Sequence, residues 1–192
     1  MIELHRVWKV FSVGPVKVPA LSDISFRVAK GECVTLHGAS GAGKTTLLRL
    51  LYREELPTEG DIEVLGCDVP ALRVREVAAL RRSIGVVFQD AKLLPGRTVY
   101  ENVAFVLRQL SQGEAQRAAL ARAIARKPLL LLADEPTGSL DESMAGEVID
   151  IIKDIWARGT TVLFATHQAR LAAALHQRTL HLLSGRLVKD EG

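Results

Sequence analysis

The chain has 192 residues, 48% of them hydrophobic and 24% charged, the proportions of one ordinary domain able to bury a core. Its 25 basic and 22 acidic residues leave a formal net charge of +3 without a basic block, so no nucleic-acid partner is expected. The longest purely apolar run, Leu129 to Ala133, is far short of the ~20 residues that span a membrane, and no signal-peptide pattern opens the chain; both point to the cytoplasm.

In chain order, Ile2 to Phe11 and Leu21 to Val28 read as strands joined through a Gly14-Pro15 turn. Cys33 to His37 is a short apolar strand running into the glycine-rich stretch Gly38 to Thr45, and Thr46 to Leu51 suits a buried helix. Neither Cys33 nor Cys67 belongs to a CxxC pair or a disulfide framework, so both read as small buried or strand residues. Pro57 to Gly60 is a turn, Ile62 to Leu65 a strand, and Leu72 to Arg82 a helix whose Arg73, Arg75, Arg81 and Arg82 form a solvated face. Ile84 to Phe88 is a further strand. Thr98 with Glu101 and Ser111 with Glu114 have the spacing of capping boxes, opening helices toward Leu107 and Arg126.

Leu129 to Ala133 is continuously apolar, as a strand buried on both faces of a parallel sheet must be, and Thr160 to Ala165 repeats the pattern. Asp141 to Trp156 and Gln168 to Leu175 are helices. Thr179 to Leu183 and Arg186 to Lys189 flank Ser184-Gly185, a hairpin signal. The expected class is α/β: one domain over 1–192 with a mainly parallel core sheet and an antiparallel portion on the N-terminal side.

The stretch Gly38-Ala39-Ser40-Gly41-Ala42-Gly43-Lys44-Thr45 satisfies the phosphate-loop pattern between a strand and a helix, the context the pattern requires. Its glycines let successive N–H groups face one anion, and the following helix adds the positive end of its dipole. Lys44 can reach β- and γ-phosphates, and the Thr45 hydroxyl is placed to ligate Mg²⁺. Asp134 and Glu135 emerge at the end of the apolar run, where Asp134 would hold Mg²⁺ through a water and Glu135 would polarise the attacking water. Two unpaired buried carboxylates are costly, which argues for a metal-phosphate partner.

Four further motifs follow in one order: Gln89 in Val87-Phe88-Gln89-Asp90, Leu110-Ser111-Gln112-Gly113-Glu114, Ser139-Leu140-Asp141, and His167. With these the chain resembles an ABC ATPase, a phosphate-loop NTPase, along nearly its whole length. The resemblance implies ATP and Mg²⁺ as cofactors and hydrolysis to ADP and phosphate. It makes Gln89 a Mg²⁺ and water sensor and His167 a γ-phosphate contact, catalytic with Lys44 and Glu135. It adds Thr46 to the nucleotide contacts of the loop residues Gly38, Ala39, Ser40, Gly41, Ala42, Gly43, Lys44 and Thr45. Phe11 matches the adenine-stacking aromatic, with core packing as its other reading.

The resemblance also implies a head-to-tail homodimer in which the signature residues Ser111, Gly113 and Glu114 and the D-loop Asp141 complete the partner's site. Gln112 departs from the pattern, since glycine is commonest there.

Within the family, Gly85 to Asp90, Lys92-Leu93-Leu94-Pro95 and Arg97 to Phe105 are most similar to the FtsE-type cell-division ATPases. That group implies an FtsX-like membrane permease as partner, a place on the inner face of the cell membrane, and control of cell-wall hydrolysis. Lipoprotein-release and macrolide-export ATPases share the Asp134 to Gly138 region and form the alternative; a nucleic-acid-associated ABC ATPase fits less well, lacking its insertions and basic arm.

One interval is short for the family. Between Gln89 and Ser111 the chain has residues 90–110, where ABC proteins place a helical subdomain; here that subdomain falls within about 90–126 and is incomplete near Arg108 and Gln109. Either residues are missing from the written sequence there, or the covalent chain is short. A long Cα separation across Arg108 and Gln109 or a heavier intact mass would mark the former.

Overall fold

A computed structural model of the chain describes residues 1–88, 121, 123–124, 127–138, 140–175 and 177–192. The expected helix opening at Thr98, the start of the one expected from Ser111, and the interval around Arg108 and Gln109 lie outside these residues; residues 121, 123 and 124, toward the end of that second helix, are helical.

Strands β1 (Ile2–Val13) and β2 (Val16–Val28) form a long hairpin about the Gly14-Pro15 turn. They run further than expected because pairing continues through Phe11↔Val18 to Val13↔Val16, past the apolar periodicity. With β4 (Glu59–Val64) and the two-residue β5 (Cys67–Asp68), not anticipated from the sequence, they make an antiparallel sheet of order β2-β1-β4-β5.

The second sheet has the order β10-β9-β3-β8-β7-β6. Its strands are β3 (Cys33–His37), β6 (Ile84–Val87), β7 (Leu130–Asp134), β8 (Thr161–Thr166), β9 (Arg178–Leu183) and β10 (Arg186–Glu191). Pairs β9·β3, β3·β8, β8·β7 and β7·β6 are parallel, and only β10 runs antiparallel. Every residue of β7 and β8 is buried, which is why Leu130 to Ala133 and Val162 to Ala165 read as unbroken apolar runs.

The helices are α1 (Lys44–Leu51), α2 (Val74–Arg82), α3 (Glu142–Ala157) and α4 (Ala169–Leu175). One core lies between the two sheets around α1, built on Ile2, Leu21, Ile24, Leu47, Leu50 and Leu132. The other lies beneath α3 and α4, built on Phe164, Val148, Ile152 and Leu171. Cys33 is buried in the second core, where loss of solvent pushes its thiol up to about 12; Cys67 is half-buried. The arginines of α2 are exposed, as expected. Among the described residues no helix is long and apolar enough to cross a membrane.

The architecture matches the expected α/β class. It brings the carboxyl ends of three adjacent parallel strands, β3, β8 and β7, to one edge, the place where open α/β sheets bind ligands.

Candidate active site

From the end of β3 the chain turns through Gly38 to Gly43 into α1. Gly43 holds φ 104 as the residue before the helix, and a Cβ there would lie 2.7 Å from the Ala20 carbonyl oxygen, so only glycine lets the loop sit against β2. No side chain caps this helix and no acid stands in its first turn. Its amides and dipole therefore remain available to an anion. A pocket of about 230 Å³ opens here, lined by Ala20, Ser40, Gly41, Gly43, Lys44, Thr45, Thr46, Glu135 and His167. A larger hollow of about 1150 Å³ lies elsewhere, between α2 and β6. The smaller one is the candidate site because the convergent charged and hydroxyl groups line it.

Lys44 is buried at 5% exposure, and its ammonium donates to the Gly38 and Ala39 carbonyls at 2.7 and 3.1 Å. Its third neighbour is Glu135 Oε1 at 3.0 Å. Glu135 Oε2 lies 2.8 Å from His167 Nδ1, where a ring N–H donates to the carboxylate. Glu135 follows directly on β7 with φ 47, a left-handed backbone that side chains rarely adopt, while its amide still donates to Ala165 on β8. Such strain persists only where neighbours hold it, and here the ion pair and the His167 contact do so.

Asp134 is also buried. Burial raises its pKa first; a hydrogen bond from Thr45 opposes that, the Glu135 charge adds to it, and Lys44 and Arg49 lower it again. The net direction is upward. Its Oδ1 is buried and has no hydrogen-bond partner. A carboxylate with one oxygen on the Thr45 hydroxyl and the other unpartnered, beside a phosphate loop, fits the oxygen-donor set of Mg²⁺.

The family model for the ABC transporter matches residues 21–108 and 103–138. Cell division ATP-binding proteins FtsE from Mycobacterium tuberculosis and Bacillus subtilis are 44% and 39% identical over 222 aligned positions, covering 100% of this chain and 96% of each relative. FtsE of Escherichia coli strain K12 is 38% identical, covering 97% of both chains. The chain belongs to the ABC transporter family. A solved ATP-binding cassette, dimeric in a post-hydrolysis state bound to ADP and Pi, superposes with a TM-score of 0.92 at 29% identity, covering 100% of this chain and 98% of its own.

In this ABC domain the structure gathers Lys44, Thr45, Thr46, Glu135 and His167 around one pocket, with Asp134 behind Thr45. Glu135 is not the unpaired carboxylate the sequence suggested, since Lys44 and His167 hold both its oxygens. Asp141 does not line the pocket: its side chain accepts from the Met144 amide at 2.9 Å and caps α3. Phe11 is half-buried outside both cores, with the Lys9 ammonium 4.7 Å from its ring centre. Gln89, Ser111, Gly113, Glu114 and Ser139 lie outside the described residues. Ala20 escaped the sequence reading because a small strand residue carries no motif; only the close approach of β2 to the loop reveals it.

Proposed function

We propose that this chain is the ATP-hydrolysing subunit of an FtsE-like ABC complex. The observation carrying the proposal is the meeting of Lys44, Thr45, Glu135 and His167 over a pocket sized for phosphates, with Asp134 beside Thr45. In this reading the loop amides and Lys44 hold the β- and γ-phosphates. Thr45 and Asp134, with Gln89, hold Mg²⁺, which when bound neutralises phosphate charge. Glu135 orients the attacking water and takes its proton as the water oxygen bonds to the γ-phosphorus and the bond to the β-phosphate oxygen breaks. His167 supports that geometry from the γ-phosphate side. Phe11 stacks on adenine, a role favoured by its position outside both cores.

The sandwich dimer, with Ser111, Gly113, Glu114 and Asp141 serving the partner's nucleotide, is the quaternary state we infer, in keeping with the dimeric cassette of the same fold. The FtsE relatives favour a cell-division role over lipoprotein or macrolide export, with an FtsX-like membrane protein as partner and the chain on the cytoplasmic face. The test is Mg²⁺-dependent ATP hydrolysis by the purified chain, alone and with that membrane protein. A chain that bound no nucleotide would refute the proposal, and hydrolysis indifferent to the membrane protein would refute the partner.

A further inference from the structure

The two-residue turn between β9 and β10 does more than reverse the chain. Ser184 and Gly185 have φ 47 and φ 75, the pair of positive values that a type I′ hairpin turn demands. Gly185 is nevertheless buried. Its N–H donates to the Ala42 carbonyl of the phosphate loop at 3.0 Å, and its carbonyl accepts from the Ser22 amide of β2 at 2.7 Å. One residue therefore joins the loop, which belongs to the parallel sheet, to β2, which belongs to the antiparallel sheet.

Close to both Gly43 and Gly185 sits Ala20, a wall of the pocket. Its carbonyl oxygen would lie 2.7 Å from a Cβ on Gly43 and 2.6 Å from a Cβ on Gly185, which would also stand 3.0 Å from the carbonyl carbon. Both contacts are with backbone and cannot be relieved by a side-chain rotation. We infer that Gly185 is a positioning residue for the nucleotide: it fixes the separation of the phosphate loop and β2, and hence the width of the pocket between Ala20 and Gly43. Nothing at Gly185 touches the substrate. Its effect passes through Ala42 and Ala20. The inference rests on the nucleotide reading of this pocket and adds to it a residue some 140 positions from the loop in sequence, by rough count.

Gly66 supplies the control. It has φ 77 against 75 for Gly185 and lies in the antiparallel sheet's β4–β5 turn, but a Cβ there meets nothing within 4 Å. Gly66→Ala and Gly185→Ala therefore both put a side chain at nearly the same positive φ, and only the second adds a Cβ against Ala20. Affinities for ADP and AMP would be measured by titration at a temperature where both variants are folded, since only ADP carries the β-phosphate that the loop holds. Gly185→Ala is expected to weaken ADP about tenfold or more and AMP by much less, while Gly66→Ala binds both as the parent does. Equal ADP affinities for the two variants would overturn the inference alone; a parent chain binding no ADP would overturn the nucleotide reading as well. Should Gly185→Ala fail to fold, amide exchange in the parent decides. Saturating ADP is expected to slow the Gly185 and Ser22 amides more than those of β4, and uniform slowing across the sheet would overturn the role.

Discussion

The ammonium of Lys44 rests 3.0 Å from Glu135 Oε1, so the residue proposed to hold ATP's phosphates is paired with the residue proposed to activate water. Both side chains are almost wholly buried. The two Gly38 and Ala39 carbonyls and one Glu135 oxygen use the three donors of the ammonium. In our reading of the site, phosphates entering the loop replace that carboxylate on Lys44, which leaves Glu135 to its water and His167. On that reading binding and activation share one interaction.

The pair should be visible in stability. Removing one partner of a buried ion pair strands the other charge at a cost of about 3–5 kcal/mol, whereas removing both avoids that penalty. In nucleotide-free protein Lys44→Met and Glu135→Gln are expected to destabilise strongly on their own, and the double variant by clearly less than their sum. Urea unfolding measures it. Additivity to within about 0.5 kcal/mol would show that the two residues do not interact.

Function should separate the same two residues. Lys44→Ala is expected to lose most nucleotide binding, because the loop amides cannot replace its charge. Glu135→Gln keeps the hydrogen-bonding shape but not the base, so it should bind ATP, hydrolyse it very slowly and accumulate as a dimer. Sedimentation at saturating ATP reads the dimer. A monomeric Glu135→Gln protein, or one with normal turnover, would contradict the role of Glu135 and the sandwich.

Asp134 gives a pH dependence of known sign. Burial raises its folded pKa above its unfolded value near 3.8, so the folded state binds more protons and stability falls as pH rises from that value through the folded pKa. Asp134→Asn removes the charge that burial disfavours. In EDTA at neutral pH it is expected to melt higher than the parent, with the difference shrinking below pH 4, while Mg²⁺-dependent ATP binding weakens. A lower melting temperature in EDTA would mean that the Thr45, Lys44 and Arg49 contacts outweigh burial.

The parallel strands and the phosphate loop were legible because their signals are local. An unbroken run such as Leu129 to Ala133 admits little but a strand buried on both faces, as Leu130 to Ala133 are although Leu129 itself is exposed, and Gly38 to Thr45 carries the phosphate-loop pattern between strand and helix. What sequence could not convey was contact between distant segments. Nothing around Lys44 announces Glu135 as its partner, nothing in Ser184-Gly185 beyond a turn announces Ala42 and Ala20, and β5 is too short to carry a period. Two buried acids in sequence suggested two needy carboxylates. The fold satisfies Glu135 with Lys44 and His167 and leaves Asp134 Oδ1 unpartnered.

Asp141 shows how a motif residue can have a local duty too. Its carboxylate satisfies the Met144 amide at the start of α3, a helix carrying Val148, Ile149, Ile152 and Ile155 into the second core. Asp141→Ala is expected to cost about 1 kcal/mol in the isolated chain, and Asp141→Ser to restore most of it. Denaturant unfolding would decide. If Asp141→Ala were neutral in stability yet impaired ATP-dependent dimerisation, the cap would be incidental and the interface role dominant.

The last expectation concerns chain length. Alignments with FtsE relatives extend over 222 positions and cover all 192 residues of this chain, so the relatives contain an internal block opposite nothing here. The family model likewise matches in two stretches, 21–108 and 103–138, that overlap at residues 103–108, just before Gln109-Leu110-Ser111. We place the block between Arg108 and Gln109, the interval in which ABC proteins carry their helical subdomain. Intact mass spectrometry of the polypeptide isolated from its own cells is expected to exceed 20.9 kDa. A mass of 20.9 kDa would establish a continuous short chain. That chain should still bind ATP, because Lys44, Thr45 and Asp134 lie outside the interval, but its turnover should not respond to the membrane partner.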